Sequence, residues 1–159
     1  MKAAVIFGSR SDQAVMGKAA AVLREFGVAY SAHILSVHRL PELLDETLAR
    51  LEDEGAELII AGAGMAAHLP GVIAGRTLLP VIGVPISSGG LGGLDALLSM
   101  VQMPRPVPVA TVGLDNAANA GYLAVEILSL KYPELKLKLR EFRENMKKEL
   151  VRESEGVEL

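Results

Sequence analysis

The chain has 159 residues, 50% of them hydrophobic and 22% charged, with a formal net charge of −3. This length fits one domain. The apolar composition excludes a disordered chain and indicates surface buried between subunits. The charge balance argues against a nucleic-acid partner. The chain contains no cysteine, which excludes a disulfide scaffold, a thiol nucleophile and a cysteine-ligated metal.

Short apolar runs alternate with amphipathic segments over most of the chain. The apolar runs predict buried strands at residues 3–7, 28–35, 57–61, 81–84 and 107–112. Helices are predicted after them, at residues 15–26, 40–51, 69–76, 93–103 and 116–130. Such alternation is typical of a doubly wound, flavodoxin-like α/β fold, in which one parallel sheet carries helices on both faces.

We expect a single domain, with an α/β core over residues 1–130 and a C-terminal helical arm of the same domain over residues 131–159. The arm carries one predicted apolar helical face at spacings of four and three residues: Leu135, Leu139, Phe142, Met146 and Leu150. Two interpretations remain open. The face packs on the chain's own domain, or it packs on a neighbouring subunit.

The sequence predicts neither an export signal nor a membrane span. The apolar run at residues 3–7 is too short for a signal peptide. Two nearly charge-free stretches, residues 58–75 and 77–94, are interrupted by glycine and proline, whereas a span needs about 20 predominantly apolar residues. We therefore expect a cytoplasmic protein that does not bind membranes.

Small polar residues follow the first four predicted strands. Ligands of open α/β sheets bind beyond the carboxyl ends of the strands. The segments at that edge are residues 8–12, 36–39, 62–71 and 85–90. They contain His38 and His68, two of the three histidines in the chain, which predicts a ligand site at this edge.

The turn after the first strand, residues 8–12, favours an anionic ligand. Its hydroxyls and the free backbone N–H groups at a helix N-terminus suit a phosphate, and Asp12 could hold ribose hydroxyls. The alternative is ordinary capping of the following helix by Ser11 or Asp12.

His38 and Arg39 stand together after the second predicted strand. An arginine offers a bidentate fork for phosphate or carboxylate, and a histidine moves protons near neutral pH. The alternative is a turn in which His38 caps a carbonyl and Arg39 forms a surface ion pair. His33 lies mid-strand and is given no role, while His68 either faces the site or fixes its loop.

Residues 62–67 fit G-x-G-x-x-A, a weak dinucleotide fingerprint. That fingerprint needs an acidic residue about 20 positions further on, and residues 58–94 contain no Asp or Glu. We therefore reject a nicotinamide cofactor. The loops also lack a lysine for a Schiff base, a G-x-x-x-x-G-K motif and the clustered acids of a metal site. Cofactor-free chemistry on a small anionic ligand remains, with a histidine moving a proton.

Several segments match, in order, the motifs of one known family. Residues 8–12 match its G-S-x-S-D, and residues 36–41 match its S-A-H-R-T-P with two changes. Residues 62–71 match its G-A-G-G-A-A-H-L-P-G, with Met65 in place of a glycine, and residues 79–85 and 93–104 match two further motifs. Over about residues 3–130, the chain resembles the N5-carboxyaminoimidazole ribonucleotide mutase family of de novo purine biosynthesis.

The resemblance implies an isomerase that moves a carboxyl group from the exocyclic N5 of an aminoimidazole ribonucleotide to ring carbon C4, with no metal, biotin or ATP. It implies His38 as the general acid/base. The residues implied to bind the ribose phosphate are Ser9, Ser11, Asp12, Ser36 and Arg39. Those implied to shape the pocket for the carboxylate and CO₂ are Gly64, Ala66, Ala67, His68 and Leu69. It also implies a homo-octamer with sites between subunits and a swapped C-terminal helix.

Two other functions compete. A related class of the family carboxylates aminoimidazole ribonucleotide directly with CO₂, but its glycine-rich loop usually lacks the A-A-H-L-P-G that this chain keeps at residues 66–71. The second alternative is a nucleotide-binding module without turnover, which Leu40 and Met65 favour because both depart from the family pattern. The sequence therefore favours the mutase class.

Overall fold

The computed structural model describes residues 2–155; Met1 and residues 156–159 lie outside it. The strands are β1 (Lys2–Phe7), β2 (Ala29–Ile34), β3 (Leu58–Gly64), β4 (Val81–Ile86) and β5 (Ala110–Thr111). They form one sheet in the order β2-β1-β3-β4-β5, and every pairing is parallel. The predicted doubly wound α/β fold is confirmed.

Helices connect the strands and follow the last one. They are α1 (Gln13–Glu25), α2 (Pro41–Asp53), α3 (His68–Ala74), α4 (Leu94–Val101), α5 (Ala117–Ser129) and α6 (Pro133–Glu155). Pro41 is the first residue of α2, where its missing N–H leaves no hydrogen bond unmade. Between residues 2 and 155, no helix is long and apolar enough to cross a membrane.

Two hydrophobic cores lie on opposite faces of the sheet. Side chains alternate along β1, so that Val5 packs with α1, α5 and α6, while Ile6 packs with α2, α3 and α4. The central strand β3 is buried on both faces from Leu58 to Ala63. Its sequence is therefore a continuous apolar run instead of an alternating one.

The ends of β3, β4 and β5 differ most from the prediction. β3 pairs with β4 as far as Gly64 and Ile86, past the expected ends at Ala61 and Val84. β5 is much shorter than the predicted residues 107–112. Prolines at positions 104, 106 and 108 precede it, and proline cannot donate to a sheet ladder.

The C-terminal helix α6 divides into two halves. Leu135 and Leu139, in the first half, are buried in the chain's own core. Met146 and Leu150 continue the same apolar spacing, yet both are exposed. The interpretation of packing on the same domain therefore holds for the first half only, and residues 156–159 of the expected arm lie outside the described residues.

Candidate active site

A cleft of about 530 Å³ opens at the carboxyl end of the sheet. It lies at the switch point of the fold, because the chain leaves β1 toward β2 on one side and then places β3 on the other. The loops after β1, β2, β3 and β4 line the cleft. Doubly wound proteins bind their ligands at this point, outside the carboxyl ends of the strands.

All the site residues expected from the sequence lie around this single cleft. They come from three loops that are far apart in the chain: Ser9, Ser11, Asp12, Ser36, His38, Arg39, Gly64, Ala66, Ala67, His68 and Leu69. The geometry therefore brings them together as one site, while the role of each residue stays a prediction.

Five further lining residues belong to the segments predicted for this edge but were not among the predicted site residues: Gly8, Val37, Ala63, Met65 and Ser88. Ser88 is the most informative of them, because it comes from a fourth loop. Its proximity depends on Gly64, where a Cβ atom would collide with the Ser88 hydroxyl. The register that pairs Gly64 with Ile86 sets this contact, and the apolar pattern of the sequence does not specify that register.

The turn after β1 forms a capping box around a short 3-10 helix, Arg10–Asp12. The Ser9 hydroxyl accepts a hydrogen bond from the backbone N–H of Ser11 at 3.4 Å. In return, the backbone N–H of Ser9 donates to Asp12 Oδ2 at 3.1 Å. Ser9 therefore caps the short 3-10 helix. Asp12 stands at the N-cap position of α1 but makes no side-chain capping bond there, so the capping alternative considered from the sequence does not describe α1.

Asp12 is the one buried acid among the described residues, with 8% of its surface exposed. Burial raises the pKa of its carboxyl, and the hydrogen bonds from Ser11 and Ser9 oppose that shift without cancelling it. The donors that hold it are neutral. The carboxylate is thus available to accept hydrogen bonds from ligand hydroxyls.

His38 and His68 form a hydrogen-bonded pair across the cleft. The Nε2 atom of His38 lies 2.7 Å from Nδ1 of His68, and the rings meet edge-on at 82°. His38 lies in the turn after β2, and His68 is the first residue of α3. A hydrogen bond between two ring nitrogens needs one donor and one acceptor, so at least one ring is neutral. The pair can accommodate a single mobile proton.

Arg39 lies beside His38 in the same turn and is exposed. Its Nε–H donates to the Ser36 hydroxyl at 3.2 Å. This bond orients the guanidinium while using one of its N–H donors, and the other donors suit the oxygens of a phosphate. The alternative of an ion pair for Arg39 finds no support in the described residues, whose ion pairs lie elsewhere.

The glycine-rich segment does not form a dinucleotide loop. Gly62 and Gly64 both lie inside β3, and Gly62 packs against Met16 of α1. The loop proper begins at Met65 and ends at Ala67, two residues with left-handed φ angles of 55° and 39°. Residues 2–155 also contain no cluster of acids and histidines that could hold a metal ion.

The fold and the cleft together define a doubly wound α/β protein with a hydroxyl-rich turn and a histidine pair at its switch point. The chain matches the AIR carboxylase family over residues 2–149. It is 58% identical to the N5-carboxyaminoimidazole ribonucleotide mutase of Pyrococcus abyssi over 147 residues, which cover 92% of this chain and 84% of the relative.

Two further comparisons agree. The mutase of the same name from Thermotoga maritima is 52% identical over 154 residues, with 97% of this chain and 90% of the relative covered. The crystal structure of Treponema denticola PurE superposes with a TM-score of 0.91 at 26% identity and covers 99% of each chain. The chain belongs to the AIR carboxylase family, and the resemblance drawn from its sequence motifs is confirmed.

Proposed function

We propose that this chain is a mutase that converts N5-carboxyaminoimidazole ribonucleotide to 4-carboxyaminoimidazole ribonucleotide in purine biosynthesis. Relatives that carry this name share half or more of its residues. The observation that carries the proposal is the hydrogen-bonded pair of His38 and His68 in one cleft with the turn at residues 8–12. That arrangement combines a proton carrier with a site for a phosphorylated ligand.

The ribose phosphate binds where hydroxyls and a guanidinium converge. Ser9, Ser11 and Ser36 supply hydroxyls, and Arg39 supplies a positive charge and a planar fork. Asp12 lies beside the same turn and accepts hydrogen bonds from the ribose hydroxyls. Binding of the remote phosphate places the imidazole ring next to the histidine pair and lowers the entropy cost of the reaction.

The reaction is an isomerisation in which His38 returns to its starting state. Protonated His38 gives a proton to N5 as the bond between N5 and the carboxyl carbon breaks, and the electron pair of that bond stays on nitrogen. CO₂ is released beside the electron-rich ring. C4 attacks CO₂, and neutral His38 then removes the C4 proton as aromaticity returns. One proton is given, one is taken, and no redox change occurs.

CO₂ must stay in the cleft between these two steps. The loop at residues 64–69 lines the cleft, and the buried side chain of Leu69 gives it an apolar wall. A closed, water-poor pocket keeps CO₂ at high effective concentration over C4. We assign this role to Gly64, Ala66, Ala67, His68 and Leu69.

We also propose that the protein works as a homo-oligomer, with the octamer of the family resemblance as the expected state. The exposed face of α4 supports this, because Leu94, Leu98 and Val101 present about half of their surface to solvent. Met146 and Leu150 give the free half of α6 a similar apolar face. The cytoplasmic location expected from the sequence stays a prediction.

The function is tested by turnover with two substrates. One sample receives enzymatically prepared N5-carboxyaminoimidazole ribonucleotide, and the other receives aminoimidazole ribonucleotide with bicarbonate at modest concentration. Product from the first sample alone supports the mutase. Efficient product from the second identifies a direct carboxylase, and tight binding without product in either sample identifies a module without turnover.

The assembly is tested by truncation within α6. Removal of residues 144–159 keeps the buried anchors Leu135 and Leu139 and deletes the exposed half of the helix. Light scattering should then show fewer subunits per particle than the full-length chain does. An unchanged number of subunits would show that this half of α6 holds no neighbouring subunit.

A further inference from the structure

Met65 occupies an unusual place at the mouth of the cleft. It lines the cleft, and 61% of its side chain is exposed. Its φ angle is 55°, in the left-handed region that a glycine adopts easily and a residue with a Cβ atom rarely does. It follows Gly64, the last residue of β3, and stands where the family pattern has a glycine.

Folding does not account for this methionine. An exposed side chain adds little to the hydrophobic core, and its left-handed backbone carries a steric cost that glycine would avoid. A strained residue that persists at the edge of a ligand site points to a function for its side chain. The loop after β4 approaches this side chain.

That loop lacks side chains where it approaches Met65. A Cβ atom built on Gly89 would lie 3.8 Å from Cγ of Met65, which is ordinary van der Waals contact. Gly90 follows, so the lip of the cleft opposite Met65 is bare backbone. The Met65 side chain therefore lies between the loop after β3 and the loop after β4, and Ser88 of the second loop lines the same cleft.

We propose that Met65 closes the mouth of the cleft and controls how often CO₂ escapes before it is recaptured at C4. This inference rests on the proposed mutase function. CO₂ carries no charge, so the cationic and hydroxyl groups that hold the phosphate cannot retain it. Only steric closure and apolar contact can, and a flexible, polarisable thioether supplies both.

The inference predicts the origin of the carboxyl carbon in the product. The enzyme is given unlabelled N5-carboxyaminoimidazole ribonucleotide in buffer that contains ¹⁴C-labelled bicarbonate and CO₂. Each escape of CO₂ allows a labelled molecule to enter and be attached at C4. Met65→Gly should raise the labelled fraction of the product by about threefold or more, because the mouth then stays open. Met65→Leu keeps the apolar bulk, so the labelled fraction of its product should equal that of the parent enzyme.

The outcomes are distinguishable. If the parent enzyme makes product and Met65→Gly incorporates no more label than the parent, this inference is wrong and the proposed function stands. If the particle mass of Met65→Gly falls in light scattering, Met65 belongs to a subunit contact and the inference is also wrong. If the parent makes no product from the carbamate, the proposed function and this inference fail together. Glycine suits the left-handed backbone, so the variant should fold.

Discussion

Each end of the parallel sheet holds one carboxylate, and the two are held in opposite ways. At the amino end, Glu57 accepts hydrogen bonds from Lys131 Nζ at 2.6 Å and from the Tyr132 hydroxyl at 2.7 Å. At the carboxyl end, Asp12 accepts hydrogen bonds from neutral donors of its own turn. The first arrangement joins the start of β3 to the segment that leads into α6, and the second leaves the carboxylate at the edge of the cleft.

The pKa values of these two carboxyls are shifted in opposite directions. At Glu57, burial works to raise the pKa, but the bonds from Lys131 and Tyr132 outweigh it and lower the pKa to about 2. At Asp12, burial prevails and the pKa rises above its usual value. The amino end uses charge to hold the chain together, whereas the site end keeps a carboxylate whose donors a ligand can replace.

The largest expected effect of a substitution at the site end is that of His38→Asn. Loss of the general acid/base should lower kcat by about 10²- to 10⁴-fold, while ligand binding survives because the phosphate contacts remain. Steady-state turnover and direct binding of aminoimidazole ribonucleotide measure the two quantities separately.

His33→Asn is the matched control for this prediction. His33 lies on the edge strand β2, hydrogen-bonded to Ser31 and outside the cleft, so its removal should leave turnover near the parent value. Full activity in His38→Asn would overturn the assignment of His38 as the proton carrier.

Arg39→Gln should act mainly on substrate affinity. Loss of a charge-assisted contact to phosphate costs about 1.5–3 kcal/mol, which raises KM by about 10- to 100-fold. Because Arg39 is not a proton carrier in the reaction, kcat should change much less. Arg76→Gln is the control, since Arg76 pairs with Asp45 outside the cleft. A fall in kcat at unchanged KM would place Arg39 in the chemical step instead of in phosphate binding.

Much of the fold and the position of the site could be predicted from the sequence. The apolar runs correctly predicted where the strands occur along the chain, because β1, β3 and β4 are buried along most of their length. Once the sheet is parallel, the rule that ligands bind beyond the carboxyl ends brings residues 8–12, 36–39, 62–71 and 85–90 together. That argument needs no side-chain geometry.

The remaining features depend on tertiary structure. The contact between Gly64 and Ser88 requires the register of β3 against β4, which periodicity does not specify. The pairing of His38 with His68 requires the exact direction in which the chain leaves two different strands. Similarly, the apolar spacing of α6 is uniform along the helix. Leu139 is buried because its half of α6 packs against the core, whereas Leu150 lies beyond that contact and is exposed.

At the amino end, Glu57→Gln should lower the free energy of unfolding by about 1–2 kcal/mol at neutral pH, because the amide loses the charge-assisted bond to the exposed Lys131. The pKa of Glu57 is depressed, so its contribution is complete above pH 4.5 and is lost as the pH falls toward about 2. Denaturant unfolding between pH 4.5 and about 2 should show that the free energy of unfolding falls less in the variant than in the parent. Glu46→Gln, at an exposed position on α2, is the control. Equal stability of Glu57→Gln and the parent at pH 7 would contradict the anchoring role of Glu57.

The smallest effect on the free energy of unfolding is expected from Asp12→Asn, and its sign should be opposite to that of Glu57→Gln. The pKa of Asp12 is raised, so folding disfavours its charged form, and the native protein loses stability as the pH rises from below 3.8 through the folded pKa. An asparagine oxygen can still accept from the Ser9 N–H, and its amide can donate to the Ser11 hydroxyl. The variant should therefore be as stable as the parent near neutral pH, or more stable by up to about 1 kcal/mol, with no gain from charge removal at low pH. Its KM should nevertheless rise, because ribose hydroxyls lose an ionised acceptor. Denaturant unfolding at matched protein concentration measures the first effect, and a clear loss of stability at pH 7 would show that Asp12 anchors the fold as Glu57 does.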